Sequence, residues 1–294
     1  MKSIVFGGSG FLGSHVADAL SDAGHEVILF DLRASKYCRP DQRMIEGDIL
    51  DKKQVLAAIE GCDFVYNLAG IADLDDASTR PGDTVIQNIL GNTILLDTCV
   101  ALRVKRYIYA STVYVYSEKG GFYRCSKQAS ETYVEEYQRR YGLDFTILRY
   151  GTLYGPRADQ RNSIYRYLRQ ALIDKRIVAS GTGGELREYI HVRDAARLSV
   201  EILDPKYANT RMIITGHQSI CFRDLLNIIR DVFNDQVKIT FTGVSNHAHY
   251  KATPYSYTPK TGYKLTSNQF TDLGQGLIEC IEEIDSETKE QDTI

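Results

Sequence analysis

A chain of 294 residues, 43% hydrophobic and 25% charged, has ordinary globular composition and enough length for a sizeable core in one or two domains. A formal net charge of −3 gives neither a basic footprint for nucleic acid nor a polybasic surface for anionic lipid, so both partners are disfavoured. No apolar run approaches a membrane span, and the first strand begins almost at Met1 with no room for a signal peptide, so a cytoplasmic protein is expected. Its scattered cysteines (Cys38, Cys62, Cys99, Cys125, Cys221, Cys280) should then be reduced thiols, with no metal site.

Lys2–Phe6 is a short apolar run suited to a buried parallel strand. It leads into Gly7-Gly8-Ser9-Gly10-Phe11-Leu12-Gly13, after which Phe11, Leu12, Val16, Ala19 and Leu20 fall at helical spacing. The glycines therefore stand where a strand turns into a helix. Free backbone N–H groups and the positive end of the helix dipole attract an anion there, and a pyrophosphate suits the arrangement. The run contains both G-x-G-x-x-G (Gly8, Gly10, Gly13) and G-x-x-G-x-x-G (Gly7, Gly10, Gly13). A second apolar run, Glu26–Phe30, ends in Asp31, where a dinucleotide-binding unit places an acid on the adenosine ribose. That carboxylate would repel a 2′-phosphate, which favours NAD over NADP, although Arg33 keeps the alternative open.

A third strand is expected at Arg43–Glu46, followed by Gly47-Asp48-Ile49 and a helix from about Asp51 to Ile59. Asp48 is either an ordinary loop acid or an acceptor for the exocyclic amine of adenine, with Ile49 packing on the ring. The strand Asp63–Asn67 runs into Leu68-Ala69-Gly70 at a carboxyl end, where open parallel sheets bind ligands. A long helical pattern spans roughly 82–102, with Val85, Ile89, Ile94, Leu95, Cys99 and Leu102 inward and Asn88 and Asn92 interrupting it. Arg106–Thr112 reads as a strand ending in hydroxyls. Strands alternating with helices argue an α/β, doubly wound first domain.

Tyr123 and Lys127 then stand at i, i+4 on one face of a helix that continues through Tyr133, Val134, Tyr137 and Tyr141. An ammonium a few ångströms from a phenol favours the phenolate, drawing its pKa down from ~10 towards a range useful for proton transfer. Thr112 can hydrogen-bond the same substrate hydroxyl. A solvated helix laced by Glu131, Glu135, Arg139 and Arg140 accounts well for the later turns and poorly for the first. Past Pro156 the pattern changes. A helix is expected over Asp194–Leu203, a strand over Arg211–Thr215 that returns to the main sheet, a helix over Phe222–Phe233 and a strand over Gln236–Phe241. A terminal helix is expected from about Thr271 to Ile284 and a frayed polar tail from Ser286. The ring-rich, two-proline segment His249–Lys260 reads as a rigid loop without an assigned role.

The set formed by GGSGFLG, Asp31, Gly47-Asp48-Ile49, Asn67-Leu68-Ala69-Gly70, Ser111-Thr112-Val113-Tyr114-Val115-Tyr116, Tyr123-x-x-x-Lys127 and Leu148-Arg149-Tyr150-Gly151-Thr152-Leu153-Tyr154-Gly155-Pro156-Arg157 resembles the extended short-chain dehydrogenase/reductases. More narrowly it is similar to their nucleotide-sugar epimerase/dehydratase group, over about residues 1–280. The resemblance implies a Rossmann-type doubly wound parallel sheet with a smaller, interleaved C-terminal substrate domain. Residues 1–155 and about 187–217 would form the NAD-binding domain, about 156–186 and 218–285 the substrate domain, and 286–294 a flexible tail. It implies a catalytic set of Thr112, Tyr123 and Lys127, with Tyr123 exchanging a proton with a sugar hydroxyl while hydride passes between the sugar carbon and nicotinamide. Cofactor contacts are implied for Gly7, Gly10, Phe11, Leu12, Gly13, Asp31, Leu32, Arg33, Asp48, Ile49, Leu68, Ala69, Gly70, Asn88, Ala110, Tyr123, Lys127 and Tyr150, and substrate contacts for Thr112, Thr152 and Arg187. Arg187 matches the arginine that grips the nucleotide diphosphate, and a guanidinium suits phosphate oxygens bidentately. His191, close by, is read as structural rather than catalytic.

Departures from the group's pattern narrow the activity. Its dehydratases carry an Asp-Glu pair directly after the catalytic threonine, and its decarboxylases a glutamate in the first of those places, where this chain has Val113-Tyr114. Both activities are disfavoured. A short stretch between Tyr116 and Tyr123 implies a more open entrance, and Thr152 replaces a frequent asparagine near the sugar diphosphate. The expected activity is that of an NAD-dependent nucleotide-sugar epimerase, acting at C4 of the hexose through a transient keto intermediate. The alternatives are an NAD-dependent reductase or dehydrogenase of a nucleotide-linked keto sugar and, against the Tyr-Lys pair, a dinucleotide-sensing protein without turnover. The resemblance also implies a homodimer, paired through the helix around Asn88 and the Tyr123–Lys127 helix.

Overall fold

The strand–helix alternation read from the sequence becomes, in the computed structural model, one parallel sheet of seven strands; the structure describes residues 1–243 and 251–254. The first part of the chain forms β1 (Lys2–Phe6), α1 (Phe11–Asp22), β2 (Glu26–Asp31), β3 (Gln42–Glu46), α2 (Lys52–Ile59), β4 (Phe64–Asn67), α3 (Leu74–Thr79) and α4 (Pro81–Thr84). A π-helical stretch (Val85–Leu90), α5 (Gly91–Ala101), β5 (Arg106–Thr112), α6 (Gly121–Tyr141) and β6 (Phe145–Tyr150) follow. Then come β7 (Thr152–Tyr154), α7 (Ser163–Asp174), β8 (Arg176–Ala179), β9 (Leu186–His191), α8 (Val192–Glu201), β10 (Thr210–Ile214), β11 (Ser219–Cys221), α9 (Phe222–Val232) and β12 (Lys238–Phe241).

The strand order is β10-β6-β5-β4-β1-β2-β3, and every neighbouring pair is parallel. Side chains alternate across a strand, so β1 and β2 feed two cores. Ile4, Phe6, Ile28 and Phe30 meet Val55 and Ile59 of α2, Ile94, Leu95 and Cys99 of α5, and Val134 of α6. Val5, Val27 and Leu29 face Val16, Ala17 and Leu20 of α1 and Ala195 and Ala196 of α8 on the other side. Burial on both faces is why these strands read as continuous apolar runs. The strand order turns back at β1 and β4, and their carboxyl ends open the crevice in which such sheets bind ligands.

The long helix expected over 82–102 is corrected. Asp73 and Pro81 open two short helices, and Val85–Leu90 runs in π turns, whose i→i+5 bonds admit an extra residue and turn the inward face. Val85, expected inward, is exposed, while Thr84 and Asn88 are buried. The expected return to the main sheet occurs as β10 beside β6. Four strands the sequence reading missed build much of the rest: β7, β9 and β11 form a three-stranded sheet, and β8 pairs with β12, the strand expected over 236–241. Ala171, Ile177, Ala179, Leu226, Ile229 and Val237 give α7, α9 and their neighbours a core of their own.

The terminal helix expected over 271–284, the tail from 286 and Cys280 lie outside the described residues. The loop expected over 249–260 is described only at 251–254. There the Leu186 amide donates to the Lys251 carbonyl at 2.7 Å and the Glu188 amide to Thr253 Oγ1 at 3.2 Å. Among the described residues no helix is long and apolar enough to cross a membrane, and no group of three or more His, Cys, Asp or Glu could hold a metal ion.

Candidate active site

The glycine run closes tightly on itself. Gly7 sits at φ +79, and a Cβ there would come within 2.7 Å of the Leu68 backbone; a Cβ on Gly13 would lie 2.1 Å from the Gly7 carbonyl oxygen. Only glycine fits either place. Backbone bonds from Gly10 to Gly7 (3.1 Å) and from Ser14 to Gly10 (3.0 Å) fold the loop over the start of α1. That helix has no side-chain cap, so the amides of its first turn suit an anion approaching from the crevice. At the end of β2 the Ser9 amide donates to Asp31 Oδ2 at 3.1 Å, and Ser9 Oγ donates to the Arg33 carbonyl at 2.7 Å, so the carboxylate stands beside the glycine loop. Cradle, uncapped helix and acid together fit a dinucleotide.

The other expected cofactor residues fall around this cradle with differing engagements. Leu32 is exposed, while Leu68 and Ala69 lie against Gly7. Asp48 Oδ1 accepts the Leu50 amide at 2.9 Å, and Ile49 is buried against Gly91. Asn88 is a wedge: Oδ1 accepts the Ile71 amide at 2.8 Å, and Nδ2 donates to the Ile71 carbonyl at 3.0 Å and Ser126 Oγ at 2.9 Å. A Cβ on Gly70 would meet Asn88 Oδ1 at 2.4 Å, so that glycine makes room for it. Tyr150 is buried, with its hydroxyl 2.6 Å from Ser199 Oγ of α8, and burial pushes its pKa up.

The chemical residues gather at the end of β5 and the start of α6. Thr112 Oγ1 accepts the Tyr114 amide at 3.3 Å, which leaves its O–H to donate elsewhere. Gly120, at φ +92, turns the chain into α6 and sets Tyr123 in its first turn. One turn on, Lys127 Nζ donates to the Ala110 carbonyl at 2.7 Å and lies 4.8 Å from the Tyr109 ring centroid and 5.9 Å from that of Tyr123. Burial pulls the Lys127 pKa down from 10.5 to about 8, against the opposing field of Glu131.

Glu131 corrects the picture of a solvated helix face. It is buried, and it accepts from Ser111 Oγ at 2.5 Å and from Arg149 Nε and Nη2 at 3.0 and 2.5 Å. Arg149 also donates to the Tyr116 hydroxyl. A carboxylate at this depth is tolerable because the guanidinium meets it bidentately, and the pair ties β6 and β5 to α6 beneath the Tyr-Lys pair. His191 caps α8, with Nδ1 accepting the Arg193 amide at 3.3 Å, and its ring packs edge-on against Tyr154.

A cavity of about 750 Å³ opens over this region. Among the expected residues Phe11, Thr112, Tyr123, Tyr150, Thr152 and Arg187 line it, whereas Asp31, Leu32, Arg33, Asp48 and Ile49 lie apart, at and just beyond the ends of β2 and β3. Sequence reading missed several lining residues: Asp73 and Asp75 near the start of α3, Tyr114, Arg161, Arg166 and Tyr167 at and within α7, Tyr189, and Lys251. One signal for α7 was present. Asn162 caps it by accepting the Tyr165 amide at 3.1 Å, and Ile164, Tyr167, Leu168 and Ala171 follow at helical spacing. The cavity lining carries the cations Arg161, Arg166, Arg187 and Lys251, of which Arg161 is paired with Asp159, together with the acids Asp73, Asp75 and Glu185; guanidinium groups suit phosphate oxygens, while Thr112 and Tyr123 offer hydroxyls.

Comparison with known proteins agrees with this geometry. Residues 3–214 match the NAD dependent epimerase/dehydratase family. The chain is 25% identical to an uncharacterized UDP-glucose epimerase, YtcB, of Bacillus subtilis (strain 168), over 82% of this chain and 85% of that one. It is 27% identical to a dTDP-glucose 4,6-dehydratase of Streptomyces antibioticus, over 79% and 77%. Among solved structures, UDP-glucose 4-epimerase of Thermotoga maritima, crystallised with UDP-glucose, superposes with a TM-score of 0.80 at 24% identity, over 88% of this chain and 90% of that one.

Proposed function

The chain belongs to the NAD dependent epimerase/dehydratase family, and from that membership we propose that it is an NAD-dependent nucleotide-sugar epimerase acting at C4 of the hexose. The observation that carries the proposal is the placing of Tyr123 and Thr112 in one cavity with Arg166 and Arg187, above a buried Lys127. NAD, which the glycine loop and Asp31 would hold, would supply reversible hydride transfer with the sugar carbon. Tyr123 removes the proton of the sugar hydroxyl as the keto form arises and gives it back afterwards. The O–H of Thr112, its acceptor side held by the Tyr114 amide, donates to that sugar oxygen. Lys127 supplies positive charge below the Tyr123 ring and a donor to the cofactor ribose. Arg166 and Arg187 hold the diphosphate.

The relatives include dehydratases as well as epimerases. Epimerisation is the better fit, because the two residues after Thr112 are Val113 and Tyr114 and offer no carboxylate. On this reading residues 1–155 with about 187–217 form the cofactor domain, Arg187 at its edge reaching the substrate, and about 156–186 with 218–285 the substrate domain, whose residues 244–250 and 255–285 lie outside the described ones. The protein is proposed to work as a homodimer, and a reducing cytoplasm suits its five described free thiols, which are spread over separate segments.

Purified protein assayed against a panel of nucleotide hexoses, with product analysis, should interconvert C4 epimers without net NADH. Net NADH formation would favour the dehydrogenase reading instead, and net NADH consumption the reductase reading. Tyr123→Phe keeps the ring but removes the exchangeable proton, so turnover should fall roughly 10²-fold or more while NAD still binds. Thr112→Val should lower turnover with less effect on the dinucleotide. Wild-type turnover in Tyr123→Phe would sink the mechanism.

A further inference from the structure

The mechanism above uses the backbone of Tyr114 and leaves its side chain idle, yet that side chain touches the centre of the site. The ring lines the cavity and stands edge-on to the Tyr123 ring, with centroids 6.3 Å apart and planes at 75°. It is seated over Gly120, where a Cβ would come within 2.7 Å of Tyr114 Cδ1. The glycine that turns the chain into α6 at φ +92 therefore also makes the notch that admits this ring. Tyr123 lies only in the first turn of α6, behind a glycine with no side-chain cap. Its ring is met by Lys127 Nζ from its own helix, 5.9 Å from the centroid, and by the Tyr114 ring from outside it.

We propose that Tyr114 is a positioning residue for Tyr123: its ring, held in the Gly120 notch, fixes the Tyr123 phenol edge-to-face in the orientation from which the proton passes to the sugar. The proton transfer rests on the epimerase reading; the ring contact does not. Aromatic rings attract edge-to-face because the positive rim of one meets the negative face of the other, an attraction that a phenylalanine ring keeps. The amide that orients Thr112 is backbone and survives replacement of the side chain.

Tyr114→Ala should lower kcat roughly tenfold with NAD affinity unchanged, and Tyr114→Phe should restore most of it. Gly120→Ala pushes the ring out of its notch and should lower kcat as well. The double variant Gly120→Ala/Tyr114→Ala should lose no more than the worse single variant, since both act through one contact. Melting temperatures separate misfolding from misplacement. A second readout needs no substrate: in protein labelled with 3-fluorotyrosine, the Tyr123 resonance, assigned by its loss in Tyr123→Phe, should move in Tyr114→Ala and stay in Tyr114→Phe. An unmoved resonance in Tyr114→Ala overturns the proposal, as does a Tyr114→Phe variant as impaired as Tyr114→Ala. If the wild-type protein turns over no nucleotide sugar, the epimerase reading fails while the fluorine signal still decides the contact.

Discussion

At the scale of single residues, Lys127 shows a charge kept where it is costly. Burial lowers its pKa from 10.5 to about 8, so the folded protein holds this proton less tightly than the unfolded chain. The cost is fully present below about pH 8, roughly 3 kcal/mol, and is relieved as pH rises towards 10.5. Lys127→Met should therefore raise the melting temperature near neutral pH and abolish that alkaline rise in stability, while turnover and NAD binding fall. Thermal unfolding of the cofactor-free protein at neutral and alkaline pH would show it, and a lower melting point than wild type at neutral pH would count against the account. Asp31 offers a second case. With its carboxylate fixed by the Ser9 amide at 3.1 Å, a 2′-phosphate would meet a like charge, so NAD should bind more tightly than NADP. Asp31→Asn should narrow that preference by roughly tenfold, read by titration with both dinucleotides.

Among the elements, the segment from α3 to α5 is where a simple helical reading gave way. Straight α-helical phase would bury Val85, but Thr84 at the end of α4 and Asn88 in the π turns are buried instead. Polar burial is tolerable because Asn88 meets partners arriving from elsewhere, Ile71 beyond β4 and Ser126 on α6. Asn88→Ala would orphan the Ile71 amide and carbonyl, at a cost of about 2–4 kcal/mol. Denaturant unfolding should show that loss, together with weaker NAD binding as the loop holding Gly70 relaxes. Wild-type stability in that variant would mean that the bonds are replaced by water.

Across the molecule, the helices of this segment and α6 leave apolar side chains outside. Val85, Ile86, Leu90, Phe122 and Tyr133 are exposed, while Ile94 and Val134, from the same segments, go into the core. The π stretch packs on α6, and these two elements carry the exposed set. Such a patch is costly in water and suits a two-fold partner. Light scattering at micromolar concentration should give twice the chain mass, and the double variant Ile86→Glu/Leu90→Lys should give single chains with nearly unchanged helical content. A monomeric wild-type protein would remove the interface.

The sequence by itself determined whatever neighbouring residues decide together. The glycine loop between β1 and α1, Asp31 at the end of β2 and the strand–helix alternation were legible because period and turn chemistry are local. Tyr123 and Lys127 were legible as a pair because i, i+4 spacing on one helix brings them onto one face whatever surrounds them. Only the tertiary structure decided the rest. Glu131 looked like a surface acid until Arg149, eighteen residues on, met it beneath the site. Asn88 looked like a flaw in an apolar helix until Ser126, thirty-eight residues away, became its partner. The cavity's cations come from three segments, Arg161 and Arg166 at the start of α7, Arg187 on β9 and Lys251 beyond β12, with no spacing that joins them. Burial and pairing across such distances depend on which surfaces the whole fold brings together, and no local pattern encodes that meeting.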